Sequence, residues 1–344
     1  MPAEPLLRPT DRGLYCAAGD FHVDPWLPVP RAVVTHAHSD HARWGCGRYL
    51  ASRQGERVLR ARLGGSGAPV RAVEYGEAVE VNGVRVSLHP AGHILGSAQV
   101  RVEHRGEVWV VSGDYKTEPD PTCAPFEPVR CHTFVTECTF GLPIYRWSPQ
   151  AEVFAEIDGW WRANQAAGRC SVLFGYALGK AQRLLAGVDV AIGPIYCHGA
   201  VEKLNAEYRA GGVALPPTAG ATTAGRGTDW SRALVVAPPS AAGTPWMRRF
   251  GEVSQAFASG WMRVRGMRRR RGVDRGFVLS DHVDWPGLEA AVGATGAERV
   301  FATHGYTDTV VRWLRERGTE AHALPTRWEG DRAEEGAGEG EAEG

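Results

Sequence analysis

Four side chains that could bind a metal ion lie within six residues of one another near the start of the chain. The segment from Thr35 to His41 reads THAHSDH and follows the apolar run AVV. Imidazole nitrogens and carboxylate oxygens are the ligands that a borderline divalent metal prefers. His36 and His38 can point together from one extended turn, whereas Asp40 and His41 suit a second ion. The segment predicts a two-metal site; the alternative is a polar loop with solvated histidines.

This HxHxDH pattern resembles the signature of the metallo-beta-lactamase superfamily of two-metal hydrolases. An Asp that precedes the signature in that superfamily does not bind metal but orients the ligand histidines by hydrogen bonding. Asp24, at the end of a predicted strand, corresponds to this orienting Asp. The alternative is an Asp that only begins a turn before Pro25.

Two more positions match superfamily motifs in the expected order. His93 lies in the Gly-flanked loop of PAGHILGSAQV, between two predicted strands, and is favoured over His89 and His104. Asp114 follows the strand EVWVV and a Gly turn, where the superfamily has an Asp that bridges both ions. The resemblance implies one ion held by His36, His38, His93 and Asp114, and a second held by Asp40, His41, Asp114 and His304. Zinc is the expected ion, and manganese suits the same ligands.

Two other residues resemble motifs of the nucleic-acid-processing branch, the beta-CASP proteins. Glu137 ends the strand in HTFVTECTFG, and His282 lies in RGFVLSDHVDW. The resemblance implies that His282, paired with Glu137, protonates the departing sugar oxygen, and an alkoxide needs such an acid because it leaves poorly. Asp40 is expected to be the third catalytic residue. In the eukaryotic cross-link repair nucleases of this branch the position of His304 is usually apolar, whereas RNA-processing members have His.

The length of 344 residues and the hydrophobic content of 43% indicate two domains, or one domain with an insertion. Residues 48–63 look helix-prone, and strands alternate from Val70 to Val111 with turns at Asn82-Gly83 and Arg105-Gly106. The resemblance implies the α/β class: a four-layered αβ/βα metallo-beta-lactamase sandwich with an inserted α/β beta-CASP cap. The sandwich is expected in residues 1–147 and 261–328, the cap in 148–260, and a disordered acidic tail in 329–344.

The tail has seven acidic residues against Arg332, a net charge of −6, so residues 1–328 carry +6 because the whole chain is formally neutral. The N-terminus lacks a signal-peptide pattern, and no apolar run approaches the ~20 residues that span a bilayer. Seven scattered cysteines without a CxxC pair favour reduced thiols. We therefore expect a cytoplasmic protein.

Substrate contacts are predicted in two places. Lys180 follows a strand and begins a helix, where a phosphate could bind; the alternative is a packing turn. The run SGWMRVRGMRRRRGVDR is predicted to contact a phosphate backbone, although such runs are usually solvated faces. Trp261 in this run either stacks on a base or fills the core. The other predicted contacts are Arg263, Arg265, Arg268, Arg269, Arg270 and Arg271.

Over residues 13–328 the chain resembles the bacterial ligase-associated DNA exonucleases, which are encoded beside an ATP-dependent DNA ligase and a helicase. The resemblance implies a metal-dependent exonuclease that digests DNA in repair or end processing, with 5′ to 3′ polarity. The first alternative is an RNA nuclease of the same branch. A hydrolase of thioesters or lactams would not need Glu137 and His282, and a catalytically silent scaffold would lack ligands that this chain has.

Overall fold

The structure is a computed structural model that describes residues 5–264, 266 and 272–326. The chain divides into two compact units. Unit 1 comprises Met1–Tyr145 and His282–Gly344, and unit 2 comprises Arg146–Asp281. In the described ranges no helix is both long and apolar enough to span a membrane.

Unit 1 contains a six-stranded sheet in which each strand pairs with the next along the chain. β1–β2–β3 are antiparallel, and the pairs from β3 to β6 are parallel. The parallel connection between β5 and β6 contains helix α1, Glu56–Leu63. The strands are β1 Arg8–Thr10, β2 Gly13–Cys16, β3 Phe21–Val23, β4 Ala32–Val33, β5 Tyr49–Ser52 and β6 Val70–Val73.

A seven-stranded mixed sheet forms the rest of the unit 1 framework, in the order β19-β18-β11-β10-β9-β8-β7. Its antiparallel hairpins turn at Asn82-Gly83 and Arg105-Gly106, where all four residues have positive φ, as two-residue hairpin turns require. The predicted turns are confirmed. The strands are β7 Ala78–Val81, β8 Val84–Pro90, β9 Ala98–His104, β10 Glu107–Val111, β11 Thr133–Cys138, β18 Arg299–Gly305 and β19 Glu320–Ala323.

The two sheets of unit 1 share one hydrophobic core, to which Val33 and Leu50 contribute from one sheet and Val100 and Val111 from the other. Side chains that alternate along β10 point to opposite faces, so Val110 belongs to a second core. That core also contains apolar residues of two helices, α5 (Trp285–Thr295) and α6 (Thr307–Glu316). The predicted mixed α/β class is confirmed for this unit, with sheet packed on sheet and helices on an outer face.

Unit 2 is built on a parallel six-stranded sheet in the order β14-β13-β15-β12-β16-β17. Its described α-helices are α2 Gln150–Ala166, α3 Lys180–Gly187 and α4 Gly199–Ala210. Helix α3 lies in the parallel connection between β12 and β13, and α4 lies in the one between β13 and β14, whereas α2 precedes β12. The strands are β12 Cys170–Phe174, β13 Ile195–Cys197, β14 Ala219–Gly220, β15 Leu234–Ala237, β16 Val253–Ala258 and β17 Arg275–Phe277.

The chain returns to unit 1 later than the sequence predicted. The return was expected at residue 261, whereas the boundary lies between Asp281 and His282. The physical reason is β17, which pairs with β16 and so extends the sheet of unit 2. A short 3₁₀ helix, Gly260–Arg263, precedes it. The predicted acidic tail, 329–344, lies outside the described residues.

Candidate metal centre and active site

The first group of predicted ligands converges around His38. Its Nδ1 atom lies 3.0 Å from Nε2 of His36 and 3.2 Å from Nε2 of His93. Asp114 Oδ2 is 3.5 Å from Nε2 of His36 and 3.8 Å from Nε2 of His93. All four residues are buried, and their potential ligand atoms lie within 4.8 Å of one another. The turn after β4, the loop before β9 and the end of β10 bring them together.

The second predicted group lies beside the first and shares Asp114 with it. His41 Nε2 is 3.4 Å from Asp114 Oδ2 and 3.5 Å from Asp40 Oδ2. The ring of His304 stacks on that of His41, with centroids 5.5 Å apart. Asp114 Oδ2 therefore lies within 3.8 Å of histidines of both groups.

These residues fit divalent metal ions by two tests. Ligand bonds of about 2.1 Å in a tetrahedral site put ligand atoms about 3.4 Å apart, close to the distances above. In the described part of the chain, four buried polar atoms here have no hydrogen-bond partner: Asp40 Oδ1, His41 Nε2, Asp114 Oδ1 and His304 Nδ1. Buried polar atoms are rarely left without a partner, and metal ligation is one way to satisfy such atoms.

Electrostatics within the cluster are also those of a cation site. Burial, reinforced by neighbouring histidines, holds the pKa of His36 well below its ordinary value, and burial lowers that of His304. Both are therefore neutral at pH 7, the form that binds metal. For His41 burial acts in the same direction, but the carboxylates of Asp114, Asp40 and Asp24 outweigh it and raise the pKa. That concentration of negative charge is what a cation would neutralise.

Asp24 makes three hydrogen bonds to the segment that carries the first candidate ligands. Its Oδ1 accepts from the Thr35 backbone N–H at 2.8 Å, and its Oδ2 accepts from the Thr35 hydroxyl at 2.6 Å. Oδ2 also lies 2.7 Å from His41 Nδ1, which leaves the opposite ring nitrogen facing Asp114. Thr35 Oγ1 is in turn 3.0 Å from His36 Nδ1. Sequence reasoning missed Thr35, whose only signal is its position directly before the first ligand.

Irregular backbone aims several of these side chains. Asp24 and His304 have φ of 43° and 55°, in the left-handed region that non-glycine residues seldom adopt. The pairing of β11 with β18 shifts register after Glu137, so that Cys138 pairs with Gly305 and His304 is the extra residue of a β-bulge. Gly113 has φ of 57°, and a Cβ there would lie 2.6 Å from the Thr35 side chain. This close approach places Asp114 against the turn of the first ligands.

Glu137 and His282 form a buried pair next to this cluster. His282 Nδ1 lies 2.9 Å from Glu137 Oε1, which also accepts the Tyr115 backbone N–H at 3.0 Å. The other carboxyl oxygen accepts from the Thr139 backbone N–H at 3.3 Å. Potential ligand atoms of Asp114, Glu137 and His282 lie within 4.8 Å of one another. The Glu137–His282 pair and the cluster of histidines and aspartates therefore form one site within unit 1.

The predicted substrate contacts Lys180, Trp261 and Arg263 belong to unit 2. Lys180 is 3% exposed; its Nζ donates to Leu279 O at 2.8 Å and lies 3.0 Å from Asp281 Oδ2. Trp261 is 5% exposed, which agrees with core packing. Both positions correspond to the packing alternatives, because neither side chain is open to solvent. Arg263 is exposed, and Arg265, Arg268, Arg269, Arg270 and Arg271 lie outside the described residues.

Fold and site together define an α/β protein with a buried His/Asp metal-type centre and an adjoining carboxyl–imidazole pair. Over 318 residues, 91% of this chain, it is 33% identical to a probable DNA ligase of Opitutus terrae. Over 186 residues, 49% of the chain, it is 29% identical to the cleavage and polyadenylation specificity factor 73 of Drosophila melanogaster and 26% identical to the endoribonuclease YSH1 of Yarrowia lipolytica. The matched regions cover 30%, 27% and 22% of those relatives.

The fold has a counterpart among solved structures. A protein of unknown function from Enterococcus faecalis aligns with a TM-score of 0.57 over 86% of this chain and 79% of that one, at 10% sequence identity. At this identity the likeness concerns the fold alone. No family model matches the chain.

Proposed function

We propose that this protein is a metal-dependent nuclease that hydrolyses DNA from an end, built as a metallo-beta-lactamase sandwich with a beta-CASP cap. The observation that carries the proposal is the contact between His282 and Glu137 beside Asp114. A metal centre alone would serve many hydrolases. A buried imidazole held by a carboxyl group next to that centre adds a proton donor, which cleavage of a phosphodiester with an alkoxide leaving group needs.

Each group of residues has a role in this reaction. His36, His38, His93 and Asp114 would hold one ion, and Asp40, His41, Asp114 and His304 the other. Zinc is the proposed ion and manganese the alternative, because the donors are nitrogen and oxygen. When bound, the ions would supply Lewis-acid stabilisation of the charge that develops on the phosphate. Asp24 and Thr35 fix the orientation of the ligand imidazoles.

His282 is positioned to protonate the leaving oxygen. Its Nδ1 lies against Glu137, and the proton between these two groups orients the ring. When the imidazole is protonated, its other nitrogen, Nε2, carries the proton that is donated to the leaving oxygen. Backbone N–H groups of Tyr115 and Thr139 hold both oxygens of Glu137, and the carboxyl group therefore cannot turn away. We assign Glu137 and His282, together with Asp40, to catalysis.

The choice of DNA rests on the Opitutus terrae relative, which matches 91% of the chain and is described as a probable DNA ligase. We propose a functional association with an ATP-dependent ligase and a helicase, in repair or end processing, and 5′ to 3′ digestion. The second candidate is RNA cleavage, and the similarity of 49% of the chain to the endoribonuclease YSH1 supports it.

The test is digestion of end-labelled single- and double-stranded DNA and RNA, with and without added zinc or manganese. Wild type is compared with Asp114→Ala and with Asp11→Ala, an exposed carboxylate in the same unit. We expect metal-dependent release of mononucleotides from 5′-labelled DNA, retained by Asp11→Ala and lost by Asp114→Ala. If the protein digests RNA faster than DNA, RNA is the substrate and the choice of DNA is wrong. Intact polynucleotides after incubation with metal-loaded protein would refute the proposal.

A further inference from the structure

Trp44 is unusual among the tryptophans that the structure describes because it is 63% exposed, whereas Trp109 and Trp161 are exposed by 2% or less. A solvent-facing indole forgoes the stabilisation that burial of so large a ring would give. Trp44 follows His41 by three residues, so their Cα atoms are at most about 11 Å apart. An exposed aromatic ring therefore lies on the loop that directly follows the candidate ligand His41.

Hydrogen bonds to the buried side chains of Tyr49 and Cys46 fix the loop that carries Trp44. The Arg43 carbonyl accepts from the hydroxyl of Tyr49 at 2.6 Å and from Cys46 Sγ at 3.5 Å. The Tyr49 oxygen accepts from the Cys46 backbone N–H at 3.1 Å. Tyr49 is 1% exposed, and burial raises its pKa to about 12, so the phenol keeps its donor proton at neutral pH. Trp44 is thus presented to solvent from an anchored turn.

The neighbouring Arg43 provides an independent observation. Its Nε is buried, yet it has no hydrogen-bond acceptor in the part of the chain that the structure describes. Arg43 is partly exposed, so a guanidinium with an unsatisfied donor adjoins Trp44 in the chain. An aromatic face that accepts a base and a cation that accepts a phosphate are the two components of single-strand binding sites.

We propose that Arg43 and Trp44 form a nucleotide subsite beside the metal centre, where Trp44 stacks on a base and Arg43 binds the phosphate of the same strand. This inference rests on the proposed nuclease function and adds the residues that hold a nucleotide flanking the scissile bond. The stack is sequence-tolerant, because every base has an aromatic face. The subsite therefore recognises polynucleotide rather than a particular base.

The two residues predict different signatures. Stacking contributes about 1–3 kcal/mol per base, so Trp44→Ala should raise Kd and KM by about 5- to 150-fold, and Trp44→Phe should recover most of this. Arg43→Ala should reduce the slope of log Kd against log salt by about 0.7, one phosphate of a single strand. Trp44→Ala should leave that slope unchanged because stacking releases no counterions.

The experiment measures anisotropy of a fluorescein-labelled oligodeoxythymidylate with metal-stripped protein, and KM and kcat of metal-loaded protein on the same strand. Arg71→Ala, an exposed arginine on β6, is the matched control and should behave as wild type. Strands with one abasic residue at successive positions then locate the stack. Wild type should lose affinity at one position, and Trp44→Ala should be insensitive there.

Failure of this inference differs from failure of the proposed function. If wild type digests the strand but Trp44→Ala binds and digests it within twofold of wild type, the subsite is wrong and the nuclease stands. If Trp44→Phe is as weak as Trp44→Ala, the ring does not act by stacking and the proposal is overturned. If wild type neither binds nor digests any polynucleotide, the proposed function itself has failed.

Discussion

Replacing Asp24 with asparagine tests how the metal centre is held together. The Asp24 carboxylate accepts from the backbone N–H of Thr35 at 2.8 Å and from its hydroxyl at 2.6 Å, and it lies 2.7 Å from His41 Nδ1. Asparagine keeps the shape but replaces one acceptor oxygen with an NH₂ donor. Either orientation of the amide makes a donor face a donor, at Thr35 N–H or at His41 Nδ1–H.

The magnitude follows from two separate estimates. A hydrogen bond to a charged group contributes about 1.5–3 kcal/mol, and the Asp24 side chain is only 14% exposed, so water compensates poorly for its loss. Loss of a group that orients a metal ligand typically costs about 10- to 100-fold in metal affinity, equivalent to about 1.4–2.8 kcal/mol. We therefore expect Asp24→Asn to weaken metal binding by about one to two orders of magnitude.

The assay is competition for zinc between metal-stripped protein and a chromophoric chelator. Asp20→Asn is the control, because Asp20 is 60% exposed and pairs with Arg31 on the surface of the same unit. Circular dichroism checks that each variant is folded. If Asp24→Asn binds zinc as tightly as wild type, or if Asp20→Asn is equally impaired, Asp24 does not hold the ligand imidazoles as argued above.

His282→Asn should slow DNA hydrolysis by about 10²- to 10⁴-fold but slow hydrolysis of a nitrophenyl thymidine phosphate less, because nitrophenolate leaves without a proton; equal losses in kcat would contradict a proton donor. Asp281→Asn should lower the free energy of unfolding by about 3–5 kcal/mol, measured by urea denaturation, since buried Lys180 and Arg183 lose their counter-charge. The control is Asp189→Asn, which removes the partner of Arg162 in an exposed ion pair and should lower the free energy of unfolding by at most about 1 kcal/mol. Gly113→Ala should reduce bound zinc, measured by elemental analysis, because its Cβ would meet Thr35; Gly106→Ala, with positive φ but open space, should retain zinc, and equal zinc in both would refute the steric argument.

Local pattern was sufficient to predict the hairpin strands of unit 1. Alternating apolar residues and Asn-Gly or Arg-Gly turns predicted the strands from Val70 to Val111, and the sheet contains strands over this range. Residues 48–63 are a partial failure. The segment YLAS at 49–52 is strand β5, and only Glu56–Leu63 is helical. All four residues of β5 are buried between neighbouring strands, and that tertiary pairing outweighed the helix-prone composition.

Sequence spacing could name the candidate ligands but not their arrangement. The segment from His36 to His41 predicts a metal site by its own spacing. The position of His304, in contrast, depends on a bulge created by the pairing of β11 with β18. A bulge of this kind has no sequence signal in either strand alone. The same reason explains why Thr35 was missed: its role arises only when Asp24 folds back on the turn. Lys180 illustrates the opposite error, because a cation at a helix N-terminus looks available until its buried carboxylate partner is seen.

The residues of the candidate site contact one another within unit 1, and these contacts involve no side chain of unit 2. Glu137 and His282 are 145 positions apart, yet they meet within unit 1, and the groups that fix Glu137 are backbone N–H groups of the same unit. The His/Asp cluster also draws only on unit 1. Substitutions confined to the sheet of unit 2 should therefore spare zinc affinity even where they impair digestion of DNA. A loss of zinc after a surface substitution on α4 would mean that the metal centre depends on contacts outside its own unit.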